Sequence, residues 1–221
     1  MTTSGPQKRR FLVACATATG STLEVAEAIA DELRAVGHEA DVRRAREAPS
    51  PDGYDAVVVG GPMIMGWQRE AVRYVKRYER ELAVLPTAYF ITAMALTDTG
   101  TEQVDGVPLF KDPWLAKATG VGRGLTRKER YARPEHYLGD VLAKAPVVRP
   151  RTVAFLGGRL DLATLSLWRK LFVMLVVGAT PGDGRNWEVI RGWGRSMAAL
   201  LAVDGRSSDG RPLPAAGRTD G

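Results

Sequence analysis

Apolar residues recur along the chain with two alternating periods. Residues 11–16 (Phe-Leu-Val-Ala-Cys-Ala) form a short unbroken apolar run, the pattern of a strand covered on both faces. In residues 22–36, Val25, Ile29, Ala30, Leu33 and Val36 recur at helical spacing, which predicts an amphipathic helix, with Gly37 placed to end it as a C-terminal cap. Residues 40–43 alternate as a short strand. A loop holding Pro49 and Pro51 leads to residues 54–59 (Tyr-Asp-Ala-Val-Val-Val), a second buried strand bounded by Gly60, Gly61 and Pro62. Residues 68–85 predict a helix that turns Ala71, Val75, Tyr78 and Leu82 inward, and residues 88–93 predict a further strand.

Short apolar strands alternating with amphipathic helices imply an α/β domain: a doubly wound parallel sheet with right-handed crossovers, whose ligand lies beyond the carboxyl ends of the strands. Residues 97–134 interrupt this rhythm with Gly, Pro and Thr and little periodicity, so they read as an insertion. The rhythm resumes with a helix over 135–143, a strand over 152–156, a helix over 165–177 and a last helix over 187–201. The expected organisation is an N-terminal extension at 1–10, one domain at 11–202, and a disordered tail at 203–221 that is rich in Gly, Pro and balanced charge.

Composition narrows the class. Hydrophobic residues at 45% and charged residues at 25% are ordinary for a soluble globular chain, and a net charge of +6 selects no partner by itself. One cysteine, Cys15, cannot close an intrachain disulfide, and with two histidines, His38 and His136, a zinc site of the usual type is out of reach, so no metal is expected. No export signal follows the N-terminus, and the most apolar helical stretch, 171–179, falls far short of the roughly 20 residues that span a bilayer. A cytoplasmic protein is expected. Neither histidine lies near a convincing nucleophile, so no hydrolytic constellation is present. Gly120, Gly122 and Gly124 lack a preceding strand and read as a flexible turn.

The chemistry is carried by the loop between the first strand and the first helix: Thr17, Ala18, Thr19, Gly20, Ser21 and Thr22. A helix N-terminus offers unpaired amides and a partial positive charge, so a phosphate there can be bound by amides and hydroxyls without a cationic side chain. The loop holds neither Lys nor Asp, which argues against nucleotide triphosphate hydrolysis and for an unreactive monophosphate. Helix capping alone would account for one such hydroxyl, but not readily for four. Thr17, Thr19, Gly20 and Thr22 match the pattern Thr/Ser-x-Thr-Gly-x-Thr, and here the chain resembles the flavodoxin superfamily. The stretches 54–66, 155–161 and 182–187 are similar to a branch of that superfamily that includes menaquinone-dependent protoporphyrinogen oxidases.

The resemblance implies a flavodoxin-like five-stranded parallel sheet of order 2-1-3-4-5, with the insertion after the fourth strand, and FMN as a noncovalent cofactor. It puts the phosphate on residues 17–22. The ring would lie between Pro62, Met63, Ile64, Met65, Gly66 and Trp67 on one side and Ala93, Met94, Ala95, Leu96 and Thr97 on the other. Ile64 stands where relatives often carry a stacking aromatic, and Trp67 is the nearest substitute. The flavin carries the chemistry, so no protein side chain is assigned as catalytic. The implied function is an FMN-dependent oxidoreductase of the protoporphyrinogen oxidase or quinone-linked type, acting on a small-molecule redox substrate such as a porphyrinogen or quinone. The alternatives are an electron-transfer protein that serves redox protein partners and an NAD(P)H:quinone reductase.

Two further stretches bear on partners. Residues 117–133 hold Lys117, Arg123, Arg127, Lys128, Arg130 and Arg133 against Glu129, either as a solvated surface or as a dock for an anionic partner. Few aromatics interleave these cations and no recognition helix stands out, so nucleic acid is not expected. Residues 162–179 are more apolar than one buried face requires. They pack on the sheet or, alternatively, turn an outer face to a neighbouring subunit or to the inner face of the membrane as a peripheral contact.

Overall fold

The computed structural model describes residues 8–63, 67, 69–118, 124–126, 129–130, 132–160 and 182–202. In chain order these form β1 (Arg10–Cys15), α1 (Ser21–Ala35), β2 (Glu39–Arg44), β3 (Ala56–Pro62), α2 (Arg69–Arg77), α3 (Glu79–Val84) and β4 (Thr87–Ala93). There follow β5 (Leu96–Asp98), β6 (Gln103–Val104), β7 (Val107–Lys111), β8 (Ala116–Ala118), α4 (Pro134–Lys144), β9 (Val153–Gly157), β10 (Arg159–Leu160), β11 (Gly182–Asp183) and α5 (Trp187–Ala202).

The main sheet has the order β2-β1-β3-β4-β9-β7-β6. Its first five strands are parallel throughout, and they are the doubly wound core expected from the sequence in the expected order. Successive side chains of these strands point to opposite faces; both faces are buried in β1, β3, β4 and β9, while the edge strand β2 buries only Ala40 and Val42. Leu12, Val57, Val59, Tyr89, Ile91, Val153 and Phe155 pack against Ala71 and Val75 of α2, Leu82 of α3 and Leu138 of α4. Phe11, Val13, Val58, Phe90, Ala154 and Leu156 pack against Val25, Ile29 and Leu33 of α1 and Ile190, Trp193 and Met197 of α5.

Gly37 takes a left-handed φ of +95° behind α1, its amide donating to the Arg34 carbonyl while that of His38 donates to Leu33, a Schellman ending as anticipated. Val36, expected on the buried stripe, stands at that cap and is exposed. The single helix expected over 68–85 is two, α2 and α3, separated at Tyr78, where φ is −116° and ψ 33°. The amides of Tyr78 and Leu82 still donate four residues back, so Ala71, Val75 and Leu82 keep one buried face across the break.

The insertion adds structure beyond the five expected strands. Asp105 and Gly106, with φ of 49° and 78°, form a two-residue hairpin turn between β6 and β7. β7 then pairs parallel with β9, with Leu109 opposite Val153, so the fifth core strand is covered rather than left as an edge. β8 returns to pair parallel with β5, with Thr97 opposite Lys117. The Lys111 ammonium donates to Asp98 at 2.7 Å, and Thr101 donates to Glu135 of α4 at 2.5 Å, fastening the inserted chain to its surroundings. No helix among the described residues is long and apolar enough to cross a membrane. The helix expected over 165–177, the apolar stretch 162–179 and the tail 203–221 lie outside the described residues.

Candidate functional site

All the parallel strands of the core end on one rim, and backbone hydrogen bonds link their ends in series. Ala16 donates to the Gly60 carbonyl at 2.8 Å, Met63 to Thr92 at 2.8 Å, Gly158 to Ala93 at 2.8 Å and Gly184 to Gly158 at 2.9 Å. Glycine is required where these ends meet. A methyl group at Gly157 would stand 1.9 Å from the Gly184 carbonyl oxygen, and one at Gly60 would enter the Phe90 ring.

Residues 17–22 join β1 to α1 at this rim. Gly20 caps the helix with a left-handed φ of 93°, and its carbonyl accepts from the amides of Leu23 and Glu24. Among the described residues the amides of Ala18, Thr19, Ser21 and Thr22 have no hydrogen-bond acceptor, the condition of a helix start that can take an anion.

The four hydroxyls divide in two. Thr17 Oγ1 accepts from the Gly20 amide at 2.9 Å and shapes the turn. Thr22 is buried and its hydroxyl lies 3.1 Å from that of Thr92, at the end of β4. Thr19 is exposed and Ser21 half-buried, and no other described group binds their hydroxyls. Thr92 therefore belongs to the machinery of this loop although nothing in its local sequence marks it.

On the β3 side, Pro62 and Met63 are half-buried, and Met63 bridges to Trp67 as the loop closes; Ile64, Met65 and Gly66 lie outside the described residues. Trp67 is buried, its ring centroid 5.1 Å from that of Tyr89, and Gly61 lies directly against its indole nitrogen, which has no hydrogen-bond partner among the described residues. The indole is thus a support beneath the loop. To stack on a flavin it would have to leave the core.

On the β4 side, Met94 is half-buried and Ala95 exposed. Leu96 and Thr97 are buried in β5, where the Thr97 amide donates to Ala132 at 2.9 Å, so Met94 and Ala95 are what this loop presents to the rim.

A buried guanidinium closes the other end of the rim. Arg185 makes a two-pronged ion pair with Asp183 at 2.8 and 2.6 Å, reaches Glu24 in the first turn of α1 at 2.6 Å, and lies 4.5 Å over the Trp187 ring. The hydrogen bonds from Arg185 hold the Asp183 carboxyl below its ordinary range, and those to Asp183 and Glu24 raise the arginine further. This clamp neutralises the one carboxylate of the first helical turn beside the anion-receptive amides. Cys15, at the end of β1, is fully buried and burial pushes its thiol to about 12, so it is packing and not a redox thiol.

An anionic group fits this arrangement: unclaimed amides, two free hydroxyls, a neutralised neighbouring carboxylate and strand ends trimmed to glycine and alanine. The flavodoxin domain model matches residues 12–185. The protoporphyrinogen IX dehydrogenase [quinone] of Escherichia coli strain K12 is 26% identical over 143 residues, covering 61% of this chain and 79% of that protein. Among solved structures, a flavodoxin from the domain Archaea superposes with a TM-score of 0.47 at 9% identity over 87% of this chain and 98% of that one. The Streptococcus pneumoniae TIGR4 flavodoxin gives 0.41 at 13% identity over 86% and 98%. The chain therefore belongs to the flavodoxin domain family, and FMN is its cofactor.

Proposed function

We propose that the chain is an FMN-dependent oxidoreductase that exchanges electrons with a small planar substrate, of the quinone-linked protoporphyrinogen dehydrogenase type. The observation that carries the cofactor site is the row of acceptor-free amides at Ala18, Thr19, Ser21 and Thr22, set where the parallel strands end. These amides and the hydroxyls of Thr19 and Ser21 hold the phosphate, while Thr17 and Thr22 fix the loop that presents them. Pro62 and Met63, with Ile64, Met65 and Gly66, border one side of the ring, and Ala93, Met94 and Ala95 the other.

When bound, FMN supplies reversible two-electron chemistry that protein side chains lack. The protein's part is to bind the phosphate, border the ring and leave it accessible to a substrate. The likeness to the E. coli dehydrogenase supports a porphyrinogen donor and a quinone acceptor.

Anaerobic stopped-flow mixing of the FMN-loaded protein tests the proposal. Bleaching of the flavin by protoporphyrinogen IX, and its return on adding a naphthoquinone, is the expected result. Bleaching by NAD(P)H alone, or only by a reduced redox protein, would overturn it in favour of a reductase or a carrier.

A further inference from the structure

The insertion meets the end of β9 at Asp112. Asp112 follows β7 directly, and its side chain is fully buried. One carboxylate oxygen accepts from the Trp114 amide at 2.9 Å and the other from the Gly157 amide at 3.3 Å, while its carbonyl accepts from Leu115 and Ala116, both at 3.0 Å. Its own amide donates to Phe155 at 2.9 Å. A buried carboxylate is tolerated only when hydrogen-bonded, so these bonds tie the turn 112–116 firmly to the end of β9. Pairing of β8 with β5 ties the other end of the turn to the residues that follow Ala95.

At the apex of this doubly anchored turn, Leu115 points into the core and Trp114 is 73% exposed. Trp114 is the one aromatic among the exposed large hydrophobic side chains of the described residues. β7 runs parallel to β9 and β4, so the turn stands on the same rim as the cofactor loops. With strands roughly 4.8 Å apart, its backbone lies about 10 Å from the end of β4. An indole held on a rigid turn is a flat surface that binds without much loss of side-chain freedom. Among the described residues its exposed chain neighbours are Pro113 and Lys117, and one exposed ring suits a single flat molecule better than the 20 to 30 residues a side of a protein interface.

We propose that Trp114 is a substrate-positioning residue, the surface on which a planar conjugated substrate lies beside the flavin. This rests on the cofactor site proposed above. FMN-loaded protein is tested by equilibrium dialysis against menadione, a soluble naphthoquinone, and by the rate at which the photoreduced protein reduces ferricyanide, an ion with no face to stack. Trp114→Ala should weaken menadione binding at least tenfold and Trp114→Phe by no more than threefold, with the ferricyanide rate within twofold in both. Menadione binding within twofold of wild type in Trp114→Ala, or none by the wild type, overturns the assignment. Equal losses with menadione and ferricyanide overturn it as well, since the defect would then lie in the flavin site. Protein without a flavin spectrum after FMN loading overturns the cofactor reading beneath it.

Discussion

Separating the hydroxyls of residues 17–22 by what each one touches yields opposite expectations for residues three apart. Thr19 and Ser21 have no partner among the described residues, so removing either hydroxyl from the FMN-free protein should leave its stability unchanged. If each donates to the phosphate, the loss is that of a hydrogen bond to a charged group, about 1.5–3 kcal/mol, or roughly tenfold to over a hundredfold in FMN affinity. Thr22 behaves differently because its hydroxyl is buried against Thr92 at 3.1 Å. Thr22→Ala strands the Thr92 hydroxyl, which costs about 1–3 kcal/mol, or about 2–12 °C of melting temperature for a domain of this size. Replacing both partners at once, Thr22→Val with Thr92→Val, should recover most of that loss, since paired removal leaves nothing unsatisfied. Flavin fluorescence quenching and thermal denaturation of FMN-free protein read the two effects apart. If Thr19→Ala with Ser21→Ala binds FMN like wild type, the phosphate is held elsewhere. If Thr22→Ala lowers affinity without moving the melting temperature, the buried hydroxyl pair is not what holds this loop.

Gly157→Ala forces a methyl group to within 1.9 Å of the Gly184 backbone oxygen and should destabilise by about 2–4 kcal/mol from overpacking and the lost loop hydrogen bond, whereas Gly192→Ala, in open space on α5, should stabilise by up to about 1 kcal/mol. Equal melting temperatures for the two variants would refute the close approach at the rim. Cys15 should resist a thiol reagent at pH 8 in the native state and react once after denaturation, because burial holds its thiol at about 12; rapid native reaction would contradict this. The depressed Asp183 carboxyl contributes stability that is present above its ordinary range and lost as the pH falls through its lower folded value. The penalty of Asp183→Asn, measured by denaturant titration, should therefore be full at pH 7 and shrink below about pH 4, and a pH-independent penalty would remove the ion pair as its cause.

The core was legible because burial on both faces leaves an unmistakable trace: unbroken apolar runs at β1, β3 and β4, with a 3.6-residue stripe between them on α1. Gly37 announced its own helix end. The insertion was harder to read. Val104-Asp105-Gly106-Val107 carries a hairpin signal, but Pro108 inside the following strand argues against strand on local rules. It is tolerated because the ladder to β9 begins one residue later, at Leu109, so no donor is needed from Pro108, and the next amide, of Leu109, still donates to Glu102 beside β6. At the site, sequence placed the loop but could not divide its hydroxyls, because the division is made by Thr92, 70 residues away. Trp67, the nearest substitute for the stacking aromatic, is buried for a similar reason: Gly61 and Tyr89 leave a space beneath the loop that the indole fills. Asp112 and Arg185 gain their roles wholly from tertiary neighbours, Gly157 and Glu24.

The same hydrogen bonds that hide these roles decide how the site receives its ligand. From Ala16 through Gly60, Met63, Thr92, Ala93 and Gly158 to Gly184, each strand end is bonded to the next, and Asp112 and Arg185 fasten the insertion and α1 to that chain. The amides of Ala18, Thr19, Ser21 and Thr22 are thus held apart from the bonds that could have consumed them. A loop ordered before binding loses little conformational entropy when the phosphate arrives, so the affinity rests on the donors themselves and not on folding around the ligand. The rim should therefore be as protected from hydrogen exchange at Ala16, Met63 and Gly158 without FMN as with it, while Ala18, Thr19, Ser21 and Thr22 alone gain protection on binding. Broad protection appearing across the whole rim only with FMN would mean that the cofactor assembles the site, and the preformed arrangement argued from these bonds would be wrong.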